Sequence, residues 1–183
     1  MNFICLQQLD SMDCGPTCLR MVVKFYGKDI SIQSLREKTH IGKEGVNLLG
    51  IGEAAEAIGF RTQSIKLSLQ ELVKDARLPG ILHWRQNHFV VLYKIKKALF
   101  YIADPGVGLI TLSEREFKNN WVSGKENNND TGIALLLEPS PSFYRQEDDL
   151  ENGKQQGLAF KNIFRYILPY RKLVLQLFIG LGA

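Results

Sequence analysis

Helical and strand-like hydrophobic patterns occupy different parts of this 183-residue chain, and that segregation limits the fold more than any other feature. Leu19, Val22, Val23 and Tyr26 fall at i, i+3, i+4 and i+7, one apolar face of a helix that Gly27 can end. Pro16 suits the first turn, where a missing N–H is no loss. Ser31 is placed to cap a helix through about His40, and Asn47 another through Ile58, ended by Gly59. Phe60 to Lys66 alternates like a strand. Ser68 and Glu71 form a capping-box pair for a helix to about Arg77, before Pro79-Gly80 turns the chain. Strand patterns then crowd together at 81–84, 88–95, 99–103, 109–112 and 133–137, interrupted by a second capping box, Ser113 with Glu116, that starts a helix to about Trp121. Residues 124–131 read as a polar loop. Helices first and strands later, rather than in alternation, predict an α+β fold with helices packed on a mostly antiparallel sheet.

The length suits one well-cored domain with a short appendage. Apolar residues at 45% and charged residues at 23% are ordinary for a soluble globular protein, and a net charge of +4 is mild; no nucleic-acid partner is expected. Three cysteines, Cys5, Cys14 and Cys18, are too few for a disulfide framework. The spacing of Cys14 and Cys18 lacks the second pair that a zinc site needs. No signal peptide is evident, and a reducing, cytosolic setting fits. From Pro139 to Gly157 the composition turns polar and reads as a linker. Beyond it, Phe160, Ile163, Phe164 and Ile167 share a helical face, and Arg171-Lys172 precede the apolar run LVLQLFIGLGA. A membrane span needs about 20 such residues. The run is either a helix docked on the domain or the start of a spanning segment; basic residues just before it and its abrupt end favour the second.

Cys14 would stand at a helix N-terminus, where unpaired N–H groups and the positive dipole end favour a thiolate. The alternative is a buried structural cysteine. A cysteine nucleophile needs a base, and the base an orienting partner. Of three histidines, His40 lies near a helix end among glycines, and His83 sits in an apolar run with an outward-facing position expected. His88 opens the buried strand HFVVLY at its rim, where a base is plausible. That strand turns near Lys96-Lys97 into the next, which ends in Asp104-Pro105-Gly106. A three-residue loop at 95–97 puts His88 directly opposite Asp104 on one face; a two-residue loop puts the two on opposite faces. The absence of Gly or Asn at the turn favours the longer loop. Asp104 could equally be an ordinary turn starter. Gln8 could supply a side-chain donor over the helix start, beside the Cys14 backbone N–H.

Taken together, Gln8 six residues before Cys14, the DCG of Asp13 to Gly15, NHFVVLY at 87–93 and ADP at 103–105 resemble the N-terminal cysteine peptidase domain of bacterial peptidase-containing ABC transporters, which process bacteriocins and related peptides. His88 lies 74 residues after Cys14 and 16 before Asp104, in keeping with that family, as are Phe117 and Trp121. The resemblance covers about residues 3–138. It implies a papain-like peptidase domain at 1–138, a linker at 139–157, and at 158–183 an interfacial helix and the truncated start of a transmembrane domain. It also implies that Cys14 is the nucleophile, His88 the general base and then acid, Asp104 the orienter of His88, and Gln8 the oxyanion donor. The implied substrate is a precursor peptide whose leader ends in Gly-Gly or a similar small pair. Cleavage would take place on the cytoplasmic face of the plasma membrane, and the rest of a transporter, a homodimer when full length, would export the cargo. The peptidase itself would need no cofactor; ATP and magnesium belong to a nucleotide-binding domain outside this chain, which holds no GxxxxGK[ST] loop. Thr17 stands where the family often has a small residue such as Ala. Two rival readings are a non-catalytic leader-docking module on the same fold and a different papain-like thiol hydrolase of the cytosol.

Overall fold

The computed structural model describes residues 3–39, 46–126 and 129–145. The expected helices form where their caps stand. After a 3-10 turn at Ser11–Asp13 comes α1 (Cys14–Phe25), then α2 (Ile32–Lys38) and α3 (Leu48–Ala57). Ser31 Oγ accepts from the Ser34 amide and Asn47 Oδ1 from the Gly50 amide, each satisfying a first-turn donor that has no intrahelical partner. Further along, α4 (Leu69–Asp75) and α5 (Glu114–Trp121) both begin with complete capping boxes, Ser68 with Glu71 and Ser113 with Glu116.

Seven strands, β1 (Phe60–Ser68), β2 (Gly80–Trp84), β3 (His88–Lys96), β4 (Leu99–Asp104), β5 (Gly108–Ser113), β6 (Val122–Glu126) and β7 (Asn129–Pro139), make one antiparallel sheet. Its order is β1-β7-β2-β3-β4-β5, with β6 also paired to β7. One face buries Leu82, Trp84, Val90, Leu92, Phe100 and Ile102 with Phe117 and Trp121 of α5. Helices α1 and α3 pack on β3 and β1, and the Cys18 thiol donates to the Phe89 carbonyl at 3.2 Å. Cover on both faces explains why residues 89–92 are all buried and read as an unbroken apolar run.

Three expectations are corrected. Residues 124–131 do not form a loop throughout: Gly124, Lys125 and Glu126 pair with Thr131, Asp130 and Asn129. These polar side chains point to no buried face over most of that ladder, so the sequence carried no alternating hydrophobic signal. The stretch from Pro139 is folded at its start, since β7 runs through Pro139 and a short α6 (Pro141–Arg145) follows. There Phe143, 1% exposed, packs against Phe60 with tilted rings 4.5 Å apart, so one aromatic anchors a segment whose composition reads as linker. The remainder of the expected linker, the expected tail at 158–183 and His40 lie outside the described residues.

The third correction is the β3–β4 turn. It is a two-residue turn at Lys97-Ala98, with φ of 52° and 58°, and Lys96 pairs with Leu99. Two positive φ values match the right-handed twist of a hairpin, and here Lys-Ala adopts them without Gly or Asn. Continued without change, that register would put His88 and Asp104 on opposite faces. A bulge at Tyr93 prevents this: Lys94 pairs with Tyr101, but Leu92 pairs with Ile102. The extra residue lets Val90, Leu92 and Ile95 all turn to the same cluster. Extending the shifted register brings His88 and Asp104 to one face as diagonal neighbours.

Gly132 of β7 lies under the Trp121 indole, and a Cβ there would sit 2.3 Å from the ring. The ring is buried and its Nε1–H donates to the Ile133 carbonyl at 3.1 Å, so it has little room to move. Gly132→Ala is expected to destabilise the domain by about 2 kcal/mol through overpacking. Thermal melting would read this as a lowered Tm; an unchanged Tm would mean that the indole shifts freely.

Candidate active site

Cys14 opens α1 and is 7% exposed. His88 opens β3 and Asp104 closes β4, so the sheet rim carries both. His88 Nε2 lies 2.8 Å from Asp104 Oδ1, and the Cys14 thiol is close enough to the ring to favour its protonated form. With Nε2 held by Asp104, Nδ1 is the nitrogen left for the thiol. The three groups thus meet where the helix start faces the sheet rim.

Burial alone would disfavour a charged His88 ring, but the hydrogen bonds to Asp104 and Cys14 outweigh it and raise the pKa from 6.5 to about 9. Burial likewise would raise the Asp104 carboxyl; the bonds from His88 and from the Gly106 amide, the latter at 2.8 Å, hold it below the usual carboxylate range. A ring oriented by a carboxylate and set beside a thiol is placed to exchange a proton with it.

The supports of this corner come from distant parts of the chain. The turn before His88 is strained, with Arg85 at φ 48° and Gln86 at φ 64°. Asn120 of α5 holds it, accepting from the Arg85 amide with its carbonyl and from Arg85 Nε with its side-chain oxygen. The N-terminal segment straps the turn after Asp104: the Gln8 amide donates to the Pro105 carbonyl at 2.9 Å, and the Cys5 thiol to the Asp104 carbonyl at 3.7 Å. Gln8 Oε1 is buried without a hydrogen-bond partner among the described residues. His83 does not join the set. It is half-buried, the one residue of β2 that is not buried, packs 5.4 Å from the Phe89 ring, and with Val46, Asn47 and Ile133 lines a cleft of about 440 Å³.

Sequence reasoning assigned no role to Asp13 and Arg36. Asp13, 2% exposed, precedes Cys14, and both its oxygens accept from Arg36 of α2. An acidic residue directly before a helix-start cysteine was the available signal, but its partner is 23 residues away and only packing reveals it.

Among curated proteins, the chain is 31% identical over 173 residues to a probable microcin-H47 secretion/processing ATP-binding protein of Escherichia coli, covering 94% of this chain and 22% of that protein. It is 34% identical over 145 residues to a lactococcin-G-processing and transport ATP-binding protein of Lactococcus lactis, covering 75% of this chain and 19% of the relative. The chain therefore spans about a fifth of the length of these relatives. Among solved structures, a double-glycine-motif protease from an AMS/PCAT transporter, in complex with its leader peptide, superposes with a TM-score of 0.68 at 29% identity, covering 76% of this chain and 93% of that one. The peptidase domain of Streptococcus ComA, a bifunctional ABC transporter of a quorum-sensing pathway, gives 0.65 at 34%, covering 76% of this chain and 100% of the other. The fold is papain-like, as these neighbours are. A profile of the Peptidase C39 family matches residues 2–142, and with the cysteine, histidine and aspartate joined as described, this chain belongs to that family of cysteine peptidases.

Proposed function

We propose that this chain removes the leader from a bacteriocin-like precursor by cutting after a Gly-Gly type pair, as part of a transporter that exports the cargo. The observation that carries the reading is the His88–Asp104 bond with Cys14 beside the ring, at the junction of helix start and sheet rim. In this reading His88 takes the Cys14 proton and the sulfur attacks the carbonyl carbon of the second glycine. The negative charge on its oxygen is met by the Cys14 amide and the Gln8 NH2. His88, oriented by Asp104, gives its proton to the leaving amine; the thioester is then hydrolysed by a water that His88 deprotonates. A nucleophile residue only 7% exposed suits glycines, because a bulky side chain at the junction would hinder approach to its sulfur.

The relatives are ATP-binding processing and transport proteins, which supports a precursor peptide and the remainder of a transporter as partners. We place the peptidase domain at residues 1–145, and beyond it a connection and the start of a membrane domain at 158–183. No P-loop occurs in this chain, so ATP would act from elsewhere in a longer protein, which we take to be a homodimer at the plasma membrane.

The test is mass spectrometry of synthetic leader–cargo peptides incubated with the chain. Cleavage is expected after Gly-Gly, with loss of cleavage when the pair is replaced by Leu-Leu. Equal cleavage of both peptides would remove the junction specificity. Binding without any cleavage would favour a leader-docking module.

A further inference from the structure

Helix α1 has an unusual N-terminus. Its N-cap residue is Asp13, a type that ordinarily turns its carboxylate onto the first-turn amides, yet Asp13 makes no such bond. Both carboxylate oxygens are engaged by the Arg36 guanidinium, Nε to Oδ1 at 2.8 Å and Nη2 to Oδ2. The Asp13 side chain is 3% exposed and that of Arg36 30% exposed, so the anion is enclosed and its counter-charge reaches solvent. The backbone is fixed as well. Gly15 lies so close to α3 and the residue before its cap that a Cβ would sit 2.8 Å from Ile51 Cδ1 and 2.2 Å from Val46 Cγ1. The close packing of Gly15 fixes the turn, and for an N-cap residue such as Asp13 the alternative to the guanidinium is the first-turn amides beside Cys14.

We propose that Arg36 is a positioning residue for Cys14: it draws the Asp13 carboxylate off the α1 N-terminus, keeping the first-turn amides free and removing an uncompensated anion from beside the thiolate. This rests on the reading of Cys14 as the nucleophile. The other titratable groups at this corner are His88 and Asp104 from the sheet, Cys18 one turn along α1, Cys5 on the N-terminal strap and Asp10 before the 3-10 turn; α3 contributes apolar Ile51. Arg36 is the cation that bonds Asp13, and its loss leaves that carboxylate buried and unpaired.

The test measures the pH dependence of Cys14 alkylation by iodoacetamide, followed by mass spectrometry of the Cys14 peptide, so it needs no peptidase substrate. Arg36→Gln is expected to raise the midpoint of the alkylation profile by roughly one pH unit, as an added unscreened anion does. Asp13→Asn combined with Arg36→Gln should return the midpoint to the parent value, because no charge is left behind. Arg36→Lys should keep the midpoint, since the charge remains, while slowing leader cleavage through loss of the fork. A role in packing alone predicts lower stability with an unmoved midpoint, and that result would overturn the proposal, as would a shift that persists in the double variant. Were no peptide cleaved by the parent protein while the alkylation shifts held, the proposed peptidase function would fail and the Arg36 role would stand.

Discussion

Cys14→Ala is expected to give a folded protein that still binds leader peptide and cuts nothing. Removing a nucleophile from a set that acts as a unit lowers turnover by about 10⁴-fold or more, because no other group forms the covalent bond. The fold should persist, since the thiol contributes one small buried side chain at the start of α1, while the first-turn geometry is set by Gly15 and by the Asp13–Arg36 pair. Mass spectrometry of the digest and fluorescence anisotropy of a labelled leader separate the two quantities. Cleavage at the parent rate would remove Cys14 from the chemistry altogether.

The second large effect is expected at Asp104. Asp104→Asn should lower turnover by roughly 10²- to 10⁴-fold, the scale of a positioned general base and of its orienting partner, while leader affinity holds. Two pH signatures follow. His88 must be protonated to release the amine, and its pKa of about 9 puts the alkaline limit of cleavage there. Without the carboxylate that limit should move to lower pH. The sign for stability is also fixed. His88 is raised from 6.5, so its bonds stabilise the fold fully below pH 6.5 and that contribution fades as pH rises to about 9. Asp104 is lowered, so its contribution is present above the usual carboxylate range and lost in acid. The Tm difference between parent and variant should thus be widest near pH 5–6, narrowing on both sides. A difference that does not vary with pH would mean that the pair contributes packing rather than charge.

Much of this was legible in the sequence because it is local. Ser31, Asn47, Ser68 and Ser113 each start a helix by a bond within three residues of themselves, and the structure shows each bond. The α+β division and the papain-like fold followed from period and motif. What was illegible depended on distance. The sequence placed His88 and Asp104 near one another, but by a loop that does not exist; Lys-Ala makes the tight turn, and a bulge restores the shared face. Turn chemistry at positions 95–98 could not reveal this, because the correction lies at Tyr93, where packing of Val90, Leu92 and Ile95 on one cluster decides the register. Asp13 and Arg36, Phe143 and Phe60, and the β6–β7 ladder were hidden for the same reason: in each, one partner is unremarkable until the other is placed.

That bulge makes the hairpin a counting device. From the tip back to Lys94 the two strands keep one phase; from Leu92 to the rim they keep the other, and the change of phase happens at a single position. What must be preserved there is the number of residues, not the phenol of Tyr93. The side chain at 93 is open to exchange with its neighbours Phe3 and Tyr101, whereas one residue more or fewer between Leu92 and Ile102, unless looped out of the ladder, turns the imidazole and the carboxylate back to back. The hairpin therefore tolerates drift in spelling and none in length.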